Sequence, residues 1–160
     1  MSEARVFPAW RTIRLGTHPT MAGYVAAIEA SGGRVGTQAH GMLARVRLAG
    51  RPHSVELVKV TCFDVGLTGK YETPQIDQAA ARHGLSLCPA EVGLALREQY
   101  LDQPQDEYLL IAMSPLASPN AIPSVFNVGY GGLGLLLSAN RSRYHHTWDT
   151  YNQWVYLHRR

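Results

Sequence analysis

Ser124-Val125-Phe126-Asn127-Val128-Gly129-Tyr130-Gly131-Gly132-Leu133-Gly134-Leu135-Leu136-Leu137 is the stretch on which the fold turns. A glycine-rich run after a strand can open a helix and hold phosphate on that helix's first amides. Here the glycines lead into three leucines and then Ser138-Ala139-Asn140, which reads as a strand entering a turn, and no Lys-Ser/Thr pair follows. Two strand-like runs around glycines are instead a hairpin, because tight turns between paired strands require positive φ. Gly131 or Gly132 is the expected site of that positive φ.

Outward from the hairpin, the carboxy-terminal third is rich in strands. Glu107 to Met113 reads as a strand, Pro115 to Pro123 as a loop, residues 140–153 as a polar, aromatic loop, and Trp154 to His158 as a last strand. The first two-thirds hold the helices. Trp10 to Leu15 alternates apolar and polar residues, the period of a half-buried strand. Thr17 or His18 then caps a helix with Pro19 in its first turn. Met21, Tyr24, Val25 and Ile28 form its apolar face, and Gly32-Gly33 ends it. Residues 34–51 read ambiguously, with a short helix from Thr37 to Val46 as one solution. Val55 to Phe63 is β-branched and nearly continuous, as in a central strand buried on both faces. Thr73 with Pro74 starts a further helix that carries Ile76, Ala79 and Ala80 inward, and Gly84 closes it. A last helix runs from Pro89 to about Tyr100, with Val92, Ala95, Leu96 and Gln99 on one stripe. Helices followed by strands predict one α+β domain over residues 1–160, with helices packed on one face of a mostly antiparallel sheet.

Composition narrows the function classes. The chain has 160 residues, 46% of them hydrophobic, enough for one core. Cys62 and Cys88 are too few for a secreted disulfide framework and form no C-x-x-C pair. No apolar run approaches the roughly 20 residues of a membrane span, and the first residues lack an apolar leader core, so a soluble, cytoplasmic protein without a membrane partner is expected. Net charge is +3 but unevenly laid out. Residues 1–51 carry seven arginines against two acids, residues 52–137 four bases against nine acids, and residues 138–160 four arginines against Asp149. Basic ends around an acidic middle fit internal pairing between packed segments better than a polyanion-binding face.

Three groups of residues carry candidate chemistry. Cys88, directly before Pro89, sits where helix amides and the dipole stabilise a thiolate, although a small buried hydrophobe is the commoner role for a free cysteine. Glu91, Arg97 and Tyr100 share that helix and complete a candidate site at and beyond its start. Spacing does not align Arg97 with Glu91 as a helical pair. Arg141, Arg143, His145, His146, Trp148, Arg159 and Arg160 interleave cations and rings in a pattern that suits a polyanion, though no nucleic-acid signature accompanies them and nucleic acid is not the favoured partner. His145, His146 and Asp149 do not make a metal site, since adjacent side chains of extended backbone point apart and no third ligand stands at a recognisable spacing. No cofactor or metal is expected, and no partner is specified.

Two longer stretches, Trp10-Arg-Thr-Ile-Arg-Leu-Gly-Thr17 and Leu87-Cys-Pro-Ala-Glu-Val-Gly-Leu-Ala-Leu-Arg-Glu-Gln-Tyr100, together with Leu110-Ile-Ala-Met113 and the closing Trp-Val-x-Leu strand, resemble a family of uncharacterised bacterial single-domain proteins. The resemblance covers nearly the whole chain. It implies a bacterial, intracellular protein and brings no activity or catalytic residue with it. The expectation is therefore a non-catalytic binding or accessory module for a polyanion or a protein. The alternative is a small hydrolase or transferase with its site near the start of the 89–100 helix.

Overall fold

The computed structural model describes residues 5–117, 120–142 and 145–158. In chain order the elements are β1 (Arg11–Leu15), α1 (Met21–Ala30), β2 (Arg34–Val35), α2 (Thr37–Met42), β3 (His53–Val60), β4 (Tyr71–Glu72), α3 (Thr73–Ala81), β5 (Leu85–Ser86), α4 (Glu91–Gln99), β6 (Tyr108–Ile111), β7 (Leu116–Ala117), β8 (Pro123–Gly131), β9 (Gly134–Arg141), β10 (Thr147–Trp148) and β11 (Gln153–His158). Single 3-10 turns follow α2 at Leu43–Arg45 and β3 at Phe63–Val65.

The main sheet runs β1-β3-β11-β6-β8-β9-β2, with β5 added on β11 and β7 on β8. Its pairs are antiparallel except β11 with β6 and β2 with β9. This is an α+β fold on a mixed, mostly antiparallel sheet. β4 and β10 form a separate small ladder. The continuous run around Val58 is internal as its sequence predicts, flanked by β1 and β11, though it starts at His53 and stops at Val60.

Register separates the two faces. Val58 pairs with Tyr156 and Val60 with Trp154, so these four share one face of the sheet. On that face the Tyr156 hydroxyl donates to Asp77 of α3 at 2.7 Å, and the Trp154 indole donates to the Tyr71 hydroxyl of β4 at 2.8 Å. Val155, Ile111, Leu109, Val128 and Phe126 follow one another across the ladders on the opposite face. There Gly93 of α4 lies against Phe126. The helices thus cover both faces, not the single face that their segregation in the sequence suggested. Sequence order fixes which elements are helices, but the twist and register of the strands decide which side each one meets.

The sheet curls far enough for α4 to touch β1 near one edge and β8 and β9 near the other. As a result every residue from Glu91 to Arg97 is buried, polar ones included. Its Gln99 closes the free edge of β1: the side-chain amide accepts from Arg14 N at 3.0 Å and donates to Arg14 O at 2.8 Å. A side chain here does the work of an edge strand.

Local details differ from the sequence reading where a neighbouring hydroxyl or carboxylate reaches the orphan amides first. Thr20, not Thr17 or His18, caps α1 by accepting from Gly23 N at 3.1 Å. Glu72 and Gln75 form a reciprocal capping box on α3. Thr73, the expected cap, instead accepts from the Trp148 indole at 2.9 Å. The hairpin forms as expected, yet its positive φ falls at Gly134 (φ 88) and not at Gly131 or Gly132. Gly131 pairs with Gly134 across the two-residue turn, and the left-handed residue comes just after that turn. The ambiguous 34–51 segment resolves as β2, α2, a 3-10 turn and a loop. Within the expected 140–153 and 115–123 loops, the short strands β10 and β7 form.

Val60 is 1% exposed in the middle of this core. Val60→Asp places an unpaired charge there at a cost of several kcal/mol. The variant should lose its cooperative thermal transition by circular dichroism, and an unchanged melting temperature would remove β3 from the centre of the fold.

Candidate functional site

The start of α4 opens into a cleft of about 560 Å³. Arg45, Arg47, His53, Pro89, Ala90, Ser114 and Leu116 are among the residues that line it. The two arginines come from the turn and loop after α2 and are exposed. Neither makes an ion pair among the described residues. The acids of the middle segment are engaged elsewhere. Glu56 faces His158, Glu72 faces His145, Glu98 faces His18 and Glu107 holds Lys59. Asp64 caps its own turn at Thr61, and Asp77 takes the Tyr156 hydroxyl. Among the described residues only Asp102 meets an arginine of the basic first stretch, Arg11, at 3.0 Å.

Glu91 is the one carboxylate among the described residues that line the cleft, and it accepts three hydrogen bonds. Oε2 accepts from Gly16 N at 2.7 Å and from the Tyr24 hydroxyl, and Oε1 accepts from Ala49 N at 2.7 Å. Burial, and then the bond to Glu91, pushes the Tyr24 hydroxyl well above the ordinary tyrosine range. Glu91 thus ties the end of β1, α1 and the loop after α2 to the first turn of α4. It is a clasp, 1% exposed.

Cys88 lies at the back of the same cleft but is 4% exposed. Its thiol points to Val155 O at 3.4 Å, and burial pushes its pKa far up, the opposite of a helix-activated thiolate. Desolvation outweighs the helix terminus here. Arg97 is also buried, donating to Gln103 Oε1 at 2.8 Å, Gly129 O at 2.9 Å and Tyr100 O at 2.7 Å. Burial lowers its pKa to about 10, which leaves it charged at neutral pH. Tyr100 donates to Glu107 Oε1 at 2.8 Å and packs edge-on against Trp10 under the Arg11 guanidinium. Cys88 and Glu91 border the cleft, whereas Arg97 and Tyr100 face inward at the far end of the helix, so the four do not converge on one point.

The carboxy-terminal candidates divide differently. Arg143, Arg159 and Arg160 lie outside the described residues. Arg141 is exposed at the end of β9. Trp148 is 4% exposed, packed edge-on against Trp154 and His146, and offers no open face to a base. His145 bonds Glu72 at 3.0 Å. His145 and His146 line a second cleft, of about 440 Å³, together with Glu72 and Asp77, a setting unsuited to a polyanion. The 114–117 segment separates the two clefts: Ser114 and Leu116 face the basic one, and Pro115 the acidic one.

The cleft's arginines were not among the candidates that the sequence supplied. The available signal was Arg45-x-Arg47 within the strongly basic first 51 residues, but no motif marked it. No family model, curated protein or solved structure matches the chain.

Glu91→Gln replaces an acceptor of three bonds by a group with one acceptor oxygen, leaving amide hydrogens opposite backbone donors. A loss of roughly 3 kcal/mol in urea unfolding is expected, and a change within error would show that the clasp is dispensable. Asp77 gives a pH test. Desolvation raises its carboxyl above the ordinary 3.8, partly offset by the Tyr156 bond. The folded state therefore holds the proton more tightly than the unfolded one, and wild-type stability falls as pH rises from 3.8 through the folded value. Asp77→Asn should melt higher than wild type near pH 7 and converge with it near pH 3; a lower melting temperature near pH 7 would reverse the sign.

Proposed function

We propose that this protein is a non-catalytic binding module whose basic cleft takes a small phosphate-type anion. The observation that carries the reading is Arg45 and Arg47, two exposed and unpaired guanidiniums on a cleft whose one carboxylate is already held by three donors. A planar guanidinium fork matches phosphate oxygens, and His53 and Ser114 add donors on the same rim. The hydrolase or transferase alternative has less support. The Cys88 thiol is buried with a raised pKa, and Glu91 is 1% exposed and already held by three donors. An extended nucleic acid also has less support, because the rings of Trp148, Trp154 and Tyr156 are covered. A reducing bacterial cytoplasm suits two free thiols that are both buried, and agrees with the family resemblance.

Calorimetric titration with inorganic pyrophosphate tests the reading. Binding should be measurable at low ionic strength and weaken markedly at about 200 mM salt, where screening extends over less than 10 Å. Charge reversal at Arg45 and Arg47 together should abolish it, while Arg82→Glu on the far end of α3 should not. No heat at low salt, or equal affinity in the double variant, rejects the site.

A further inference from the structure

At the other end of β8 from the basic cleft, Asn127, Gly129 and Gly131 share one face of the sheet. Tyr108 of β6 pairs with Gly129, and its ring lies along the strand over both glycines. A Cβ at either position would overlap that ring. Tyr108 is 50% exposed, and its hydroxyl makes no hydrogen bond among the described residues. Beside it is a slot of about 120 Å³ bordered by Leu133, Leu136 and Ser138. Leu133 is 67% exposed.

Asn127, next to Gly129 on the same face of β8 but not on the slot's wall, is 9% exposed. Its amide nitrogen donates to Asn140 Oδ1 at 2.9 Å, but its own Oδ1 is buried without a partner. That oxygen lies 3.4 Å from where a Cβ on Gly129 would sit, a place that the Tyr108 ring covers. A buried carbonyl oxygen without a donor is costly, and a ligand that supplies the donor recovers that cost on binding.

We propose that this slot binds a small flat heteroaromatic with an N–H on its edge, of the indole class. Tyr108 tilts off the glycines, the ring lies on the flat peptide groups of Gly129 and Gly131 between Tyr108 and Leu136, and the N–H donates to Asn127 Oδ1. Leu133 and Leu136 on the rim suit a neutral ring, and the Asn127 oxygen suits one in-plane donor. This site is independent of the basic cleft.

The test is a titration of the ¹⁵N-labelled full chain with indole and, separately, with 1-methylindole, which keeps the ring and lacks the donor. Indole should give saturable shifts at Gly129, Gly131 and the Asn127 side-chain amide, and 1-methylindole should bind about tenfold more weakly. Asn127→Leu should remove the difference between the two ligands. Because that variant alters a buried position, Tyr108→Ala serves as a second: its changed side chain is half exposed, and losing the lid should strengthen indole binding. Equal affinity for the two ligands overturns the proposal. So does the absence of saturable shifts in both wild type and Tyr108→Ala, or shifts confined to other parts of the chain.

Discussion

The Glu91 carboxylate, buried and held by Gly16 N, Ala49 N and the Tyr24 hydroxyl, is the contact on which the arrangement depends. A buried charge is tolerated only when its hydrogen-bonding capacity is met. Meeting it here brings together three segments that are distant in sequence: the end of β1, helix α1 and the loop after α2. Without that convergence, α4 would present an uncompensated anion to the core. The same helix places a second buried charge at its seventh residue, where the terminal nitrogens of Arg97 donate to Gln103 and two backbone carbonyls while its Nε has no partner, and at its end Gln99 pairs with the backbone of Arg14. One short helix thereby joins the β1 edge of a curled sheet to its β8–β9 side.

This use of polar groups shapes the surface. Most acids of the middle segment face histidines, tyrosines, backbone amides or a lysine, and so do not neutralise the arginines of the first stretch. Arg45 and Arg47 are left facing solvent beside the first turn of α4. The charge asymmetry visible in the chain is therefore not cancelled segment against segment. Two of the seven arginines of the first stretch border one cleft, and a carboxylate-lined cleft lies across the 114–117 segment.

Much of the secondary structure was legible because local rules governed it. The β8–β9 hairpin follows from strand-like runs around glycine, and α3 from Pro74 with Ile76, Ala79 and Ala80 at helical spacing. Where the reading slipped, two local solutions competed: Thr20 against Thr17 as a cap, Glu72 against Thr73, and Gly134 against Gly131 for the left-handed position. The candidate site was less legible. Cys88 and Glu91 stand at a helix start, where sequence logic places reactive groups, and both are consumed by burial or bonding. The arginines that border the cleft sit in a stretch without periodicity, which offered no pattern to read.

The sequence by itself determined the types of the longer elements, the central place of the Val55–Val60 run and the unequal distribution of charge, because these depend on residue spacing and on composition. Tertiary structure alone decided which face of the sheet each helix covers, which polar groups are satisfied internally and which remain for a ligand. Those outcomes depend on strand register and on contacts such as Gly16 with Glu91 and Arg14 with Gln99, separated by 75 and 85 residues. No local pattern encodes such a contact, since whether a buried charge finds its donors is settled only when the sheet has curled around it.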